Sequence, residues 1–430
     1  MFNFKEDFLQ FLWQHKLFLP LPLITASGKE IRVLKPGELN SNAGPDFFNA
    51  HIKIDNLLLV GNIEIHIKTS DWIKHGHLKD ENYNHLILHA VYEHDIELEQ
   101  NVRHGVEVLE LKKLINPQSL SNYLQLFQTK QKLACANQIK HCNDLQVIAW
   151  LERMAIARLE EKTKRIQQWF EFCEMDYTQT FYVSLLRNFG FKVNADAFEL
   201  LAKQLPLNIL LKHSQNLLQV ECLLLGTAGL LDQQYKNLYL QDLQNEFEFL
   251  KNKYRIIPLK KELFKYSRLR PANFPELRLA QFSALLHYAP NVFTSPQQLL
   301  DDKSIYNKFN FLCSDYWQNH YHLDGQSQSK AIQLGRQSIE NTIINTFAPF
   351  LFFYAKKTGQ VLLEQTALML WQSCQFEVNN ISKLFADKKS VLKTAADSQA
   401  LIHLFQSYCK NKQCLTCGIG AGILKPPSIS

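Results

Sequence analysis

Residues 63–68 alternate between isoleucine and an ionisable side chain: Ile63, Glu64, Ile65, His66, Ile67, Lys68. Successive side chains of a β-strand point to opposite faces. The segment is therefore expected to be a strand with three isoleucines on one face and Glu64, His66 and Lys68 on the other. Ionisable groups on a sheet face cost free energy unless they are paired, hydrogen-bonded or used for chemistry. The stretch from Gly44 to Trp72 is thus the first place to look for a site.

The rest of the chain sets the scale. Its 430 residues exceed one ordinary core, and two or three domains are expected. Apolar residues at 46% and charged residues at 20% are a globular balance. Only 15 Gly and 14 Pro favour long regular elements, mostly helices. A net charge of +6 permits an anionic partner without requiring one. The first residues carry Glu6 and Asp7 where a secretory leader would be basic. Nothing approaches the run of about 18 apolar residues that a membrane span needs. The nine cysteines, an odd number, are expected as free thiols in a reducing cytoplasm.

Phe4, Phe8, Phe11 and Leu12 fall on one face of a helix over residues 4–15. Ile24 to Leu34 suggests a hairpin turning at Ser27-Gly28, and residues 47–54 and 57–69 suggest two strands joined at Asp55-Asn56. Two more strands are expected over 86–91 and 106–111. Residues 1–115 are therefore predicted to be an α+β domain with a central mixed sheet. Residues 116–430 are predicted to be a large, mainly α-helical region ending in a Cys-rich tail.

Asp46, at the start of one strand, and Glu64, on its neighbour, can bring two carboxylates together. Such a pair suits Mg2+ or Mn2+, which activates water and stabilises a phosphoryl transition state. His66 or Lys68 would orient the water, with Asp71, His75 and His77 in support. His75-Gly76-His77 beside acids also suits Zn2+ or Mn2+ if the loop lets both rings converge. Cys409, Cys414 and Cys417 have a Cys-x4-Cys-x2-Cys spacing that can hold Zn2+ or an iron–sulfur cluster, given a fourth ligand from elsewhere. Arg268, Arg270 and Arg278, interleaved with Tyr266 and Phe274, offer forked donors and stacking faces to DNA or RNA. The plainer alternative is that these arginines pair with acids of neighbouring helices and that the polar strand face is purely structural. No Walker loop, dinucleotide fingerprint, nucleophile elbow or His-Glu-x-x-His pair is present.

Pro45-Asp46 followed by Glu64 resembles the PD-(D/E)xK nuclease superfamily. That resemblance implies a restriction-endonuclease-like sheet and a metal-dependent nuclease. The family lysine position holds His66, with Lys68 two residues further on, and Glu6 falls where many members carry another acid. Some of these nucleases staple the domain with one remote and three C-terminal cysteines, which implies Cys135, or else Cys142, as the fourth ligand. Over its whole length the chain resembles an uncharacterised bacterial family, domain of unknown function 2851. The resemblance rests on Gly44-Pro45-Asp46-Phe47, Ser70-Asp71-Trp72, Asn188-Phe189-Gly190-Phe191, residues 268–275, Tyr316-Trp317 and the cysteine tail. It implies a cytoplasmic bacterial protein and supplies no activity. The function expected is a metal-dependent nuclease or phosphodiesterase, the alternative a non-catalytic nucleic-acid- or protein-binding scaffold.

Overall fold

The computed structural model describes residues 4–77, 80–98, 106–294, 302–323, 325, 333–388 and 390–425. They form two compact units. One comprises Met1–Trp150, Lys383–Val391 and Leu404–Ser430; the other comprises Leu151–Ser382 and Leu392–His403.

The first unit is built on a mixed seven-stranded sheet. Its strands are β1 (Leu23–Ile24), β2 (Glu30–Lys35), β3 (Glu38–Leu39), β4 (Phe47–Ile54), β5 (Leu57–Lys68), β6 (Leu86–Glu93) and β7 (Glu107–Glu110). The order is β1-β2-β4-β5-β6-β7, with β3 added to β4. Pairing is antiparallel from β1 to β5 and parallel from β5 to β7. A bridge from Thr25 to Leu109 joins the two ends, so the sheet nearly closes into a barrel and leaves little open edge.

Helix α1 (Glu6–Gln14) packs on this sheet because Phe8, Leu9, Phe11, Leu12 and Trp13 recur at helical spacing and are all buried. Phe8 meets Phe4 at 5.9 Å and Tyr123 at 4.5 Å, ring centre to ring centre. Trp13 donates its indole N–H to the Pro36 carbonyl.

Strand β4 contains the irregularity that matters for the site. Phe47 pairs with Ile63, yet Ala50 pairs with Gly61, so β4 carries one extra residue there. Asn49 takes up the bulge with φ = 52°. The extra residue keeps Phe47 on the same buried face as Ala50, Ile52 and Ile54. Carried one step further, this register sets Asp46 opposite Glu64. Gly61 is required nearby, because a Cβ there would meet the His85 carbonyl at 2.5 Å where β6 begins.

The C-terminal tail returns to this unit. Asn122 donates to the Ile423 carbonyl, Gln146 to that of Gly418, and the Lys412 ammonium to that of Phe127. The second unit is helical, and the abundant phenylalanines explain its core. Phe181, Phe282, Phe293 and Phe350 are fully buried, with ring centres 4.9 Å apart for Phe181–Phe350 and 5.7 Å for Phe282–Phe293. Among the described residues no helix is long and apolar enough to cross a membrane.

Removing the Phe8 ring opens a cavity between α1 and the sheet. Phe8→Ala should lower unfolding free energy by about 3–5 kcal/mol, read as a fall in the urea midpoint at unchanged slope.

Candidate functional site

Each member of the cluster is positioned by an identifiable local cause. Asp46 lies just before β4 and is anchored at both oxygens: Oδ1 accepts from Gln10 Nε2 and Oδ2 from the Ile65 amide, both at 2.9 Å. Its own amide donates to Glu64 Oε2 at 3.1 Å. That leaves Glu64 Oε1 facing the other way, 3.3 Å from His66 Nε2 and 3.4 Å from His77 Nε2.

His66 is the hub of the histidines. Its Nδ1 is 3.0 Å from His89 Nε2, and its Nε2 is 3.0 Å from His75 Nδ1. The His66 and His77 rings are stacked, with centres 5.3 Å apart. His75 and His77 arrive from the turn after helix α2 (Asp71–Lys74), where Gly76 adopts φ = 73°. That left-handed turn is open to glycine at no steric cost, and it brings both rings back over β5. Trp72, buried beneath with Leu86 and Leu98, holds the loop down, and Tyr83 packs against His77 at 4.1 Å.

One ligand atom from each of His66, His75 and His77 lies within 4.8 Å of the other two. A tetrahedral ion with metal–ligand bonds of 2.0–2.1 Å has ligand atoms about 3.3–3.4 Å apart, which is the separation between Glu64 Oε1 and the two histidine nitrogens. The His66–His89 contact resembles the outer bond that orients a ligating imidazole. His77 Nε2 is buried with no hydrogen-bond partner among the described residues. The donor set therefore fits a divalent ion.

The electrostatics agree. Burial, and for Asp46 the neighbouring Glu64 charge, push both carboxyls well above the usual carboxylate range. Burial pushes His66 and His77 down to about 4, so both rings are neutral near pH 7 with lone pairs available. Glu6, half-buried on α1, adds its negative charge against Asp46, Glu64 and His66. A divalent cation would supply the positive charge this pocket lacks.

Other residues singled out from the sequence fall elsewhere. Lys68 lies 3.4 Å from Glu93 and 3.7 Å from Asp95, at the far end of β5. Asp71 accepts from the Lys68 amide and pairs with Lys74, which fixes the start of α2. Arg268 and Arg270 are exposed. Arg278 is buried; it donates to Gln281 and Asn273, and its guanidinium lies 4.3 Å from the centre of the Phe191 ring. It is committed to internal partners, which corrects its assignment to a nucleic-acid surface.

Cys135 and the three tail cysteines come together. Cys135, Cys409, Cys414 and Cys417 line one small cavity, and Cys142 is not part of that lining. Burial raises all four thiols. The amides of Ile419 and Gly420 donate to the Cys417 sulfur. Gly420 permits the tight wrap, since a Cβ there would fall 2.1 Å from the Cys414 carbonyl oxygen.

Sequence reasoning missed Gln10, which has no signal of its own, and undervalued two others: His89 reads as a satisfied strand residue, and Glu6, flagged by the nuclease resemblance alone, otherwise reads as a surface residue of an amphipathic helix. The sequence signal that pointed to His89 is the crowding of eight of the 15 histidines between His51 and His104.

A family model described as Protein of unknown function (DUF2851) matches residues 6–380. No curated protein and no solved structure matches the chain.

The pKa shifts predict a pH signature for the metal-free protein. Unfolded histidines protonate near 6.5, and His66 and His77 only near 4. Their contribution to stability is thus full above about pH 6.5 and lost as pH falls towards 4. Asp46 and Glu64 behave oppositely: folding favours their protonated forms, and that contribution fades as pH rises through their raised folded values. After chelation, Glu64→Gln should lose less stability than the parent between pH 6.5 and 9. Urea midpoints across that range measure it, and parallel curves would contradict the assignment.

Proposed function

We propose, starting from the fact that the chain belongs to the family described as Protein of unknown function (DUF2851), that its N-terminal unit is a metal-dependent phosphodiesterase acting on DNA or RNA. The observation that carries this reading is the convergence of Glu64 Oε1 on His66 and His77, with Asp46 bonded to the opposite oxygen of the same carboxylate. Three imidazoles and one carboxylate suit Mn2+ or Zn2+ better than Mg2+, which prefers oxygen ligands. A bound ion would lower the pKa of its water and offset charge building on a phosphoryl oxygen.

The chain's own residues have separate tasks. His66, His75 and His77 would hold the ion, with Glu64 Oε1 beside the His66 and His77 nitrogens. Asp46 holds Glu64 through its amide, and its raised carboxyl suits proton transfer near neutral pH. His89 orients His66. A restriction-endonuclease-like arrangement is supported by Pro45-Asp46 leading into β4 and Glu64 lying on its antiparallel partner β5. Glu6 on the first helix supplies the third acid. The position that holds lysine in PD-(D/E)xK nucleases is taken by His66, so the metal and Asp46 would carry the work of that lysine.

The test uses full-length protein stripped with chelator and reloaded with Mn2+, Zn2+ or Mg2+, then offered labelled single- and double-stranded DNA and RNA. Mn2+ or Zn2+ should restore cleavage, and Glu64→Gln or His77→Ala should lower it by at least about 100-fold. One bound ion without cleavage would favour the non-catalytic scaffold. No bound ion would end the metal reading.

The cysteine cluster supports a second, structural metal group. Tetrahedral zinc on four thiolates sets the sulfurs about 3.8 Å apart. Among the described residues, no three of these sulfurs lie within 4.8 Å of one another. Wider spacing favours an iron–sulfur cluster, which is larger than a single ion. Anaerobically purified protein should be coloured and contain iron and sulfide. Cys135→Ser and Cys414→Ser should each bleach it, whereas colourless protein with one extra zinc would reassign the site.

A further inference from the structure

The helical unit contains a cavity of about 710 Å³ that the reading above does not use. Its size is typical of small-molecule sites. Arg158, Lys162, Arg165 and Trp169 face it from one helix, Asp144–Phe172. Their spacing of four, three and four residues is that of one helical face. Arg187 and Lys192 come from the next two helices, Tyr177–Phe189 and Phe191–Gln204.

Five cations thus line the cavity, against one lining carboxylate, Glu161. Glu161 is already paired with Arg158 at 2.8 Å. Just behind the wall, Glu199 serves three cations at once: Arg187 at 2.8 Å, Arg165 at 3.1 Å and Lys203 at 2.7 Å. Asp196 also pairs with Arg187 at 2.7 Å and lies 3.8 Å from Arg165, so Glu161, Asp196 and Glu199 stand against six cations, the five lining ones and Lys203, and a positive surplus remains.

Among the described residues, Lys162 has no acid to balance it: its ammonium donates to Asn345 Oδ1 at 2.7 Å, and no carboxylate lies within ion-pair distance of it. Dense surroundings and the nearby Arg158 charge push its amine down to about 7. Asn345 is itself presented unusually, on a π-helical turn over Ile343–Phe347. Pro349 explains the widening, because it has no N–H to return to the carbonyl four residues back. Such turns often occur at functional sites.

We propose that this cavity binds a phosphate-bearing ligand of nucleotide size, with Lys162 and Lys192 meeting the phosphates and the Arg158 and Arg187 guanidinium groups flanking them. This is independent of the metal centre in the other unit.

The test is calorimetric titration of full-length, chelator-treated protein with ADP and, separately, with inorganic pyrophosphate. Chelation prevents either probe from binding through a metal held by the histidines. At least one probe should bind saturably, and Lys162→Gln and Lys192→Gln should each weaken it at least tenfold, with Lys236→Gln, an exposed residue outside the lining, unchanged. Equal binding of the two probes assigns recognition to the diphosphate, and tighter ADP binding adds a contribution from the nucleoside. Lys192 is exposed, so its variant keeps the test valid if Lys162→Gln fails to fold. No saturable binding of either probe, or unchanged affinity in both lysine variants, would overturn the proposal.

Discussion

A single buried carboxylate organises the first unit. Glu64 is 5% exposed and His66 1%, so neither charge nor lone pair can be satisfied by bulk water. Burial of an ionised carboxylate costs several kcal/mol unless hydrogen bonds or opposite charge offset it. One Glu64 oxygen takes the Asp46 amide, and the other faces two imidazoles whose pKa values burial has lowered. The result is a set of groups that satisfy one another only partly. A divalent ion is the simplest species that would complete them.

Sheet topology makes the arrangement possible. The long strand β5 pairs antiparallel with β4 through its first half and parallel with β6 through its second. The antiparallel side delivers Asp46, by way of the bulge at Asn49. A parallel neighbour requires a crossover connection, and this crossover carries Trp72, His75, His77 and Tyr83. The ladder partner β6 adds His89. Helix α1 closes the same pocket with Gln10 and Glu6. Four separate elements thus converge on one face of β5.

Parts of this were legible in the residues alone. The alternation from Ile63 to Lys68 identified the strand and its polar face, and Pro45-Asp46 and Glu64 were singled out as two residues that the fold then sets side by side. Gly76 between two histidines correctly suggested a loop that could fold back. The mixed sheet followed by helices was readable from periodicity and from the scarcity of glycine and proline. Lys68 and Arg278 misled for opposite reasons. Lys68 shares the strand face but stands two residues beyond the cluster, against Glu93 and Asp95. Arg278 lies in a basic stretch, yet its helix, Pro275–Tyr288, is buried almost all round, so its guanidinium turns inward to amide oxygens.

By itself the sequence determined most of the segments that form strands and helices, and which strand carries an ionisable face, because those depend on periodicity within a few residues. It also supplied the spacing of the three tail cysteines. Only the tertiary structure decided that His89 rather than Lys68 supports His66, that Glu6 adds its charge to the pocket, that Cys135 rather than Cys142 joins the tail, and that five cations share a cavity with one lining acid. Those facts depend on strand register, a one-residue bulge and contacts between segments as far apart as residues 135 and 409. No local pattern encodes them, since each is settled by how well distant surfaces satisfy one another once water is excluded.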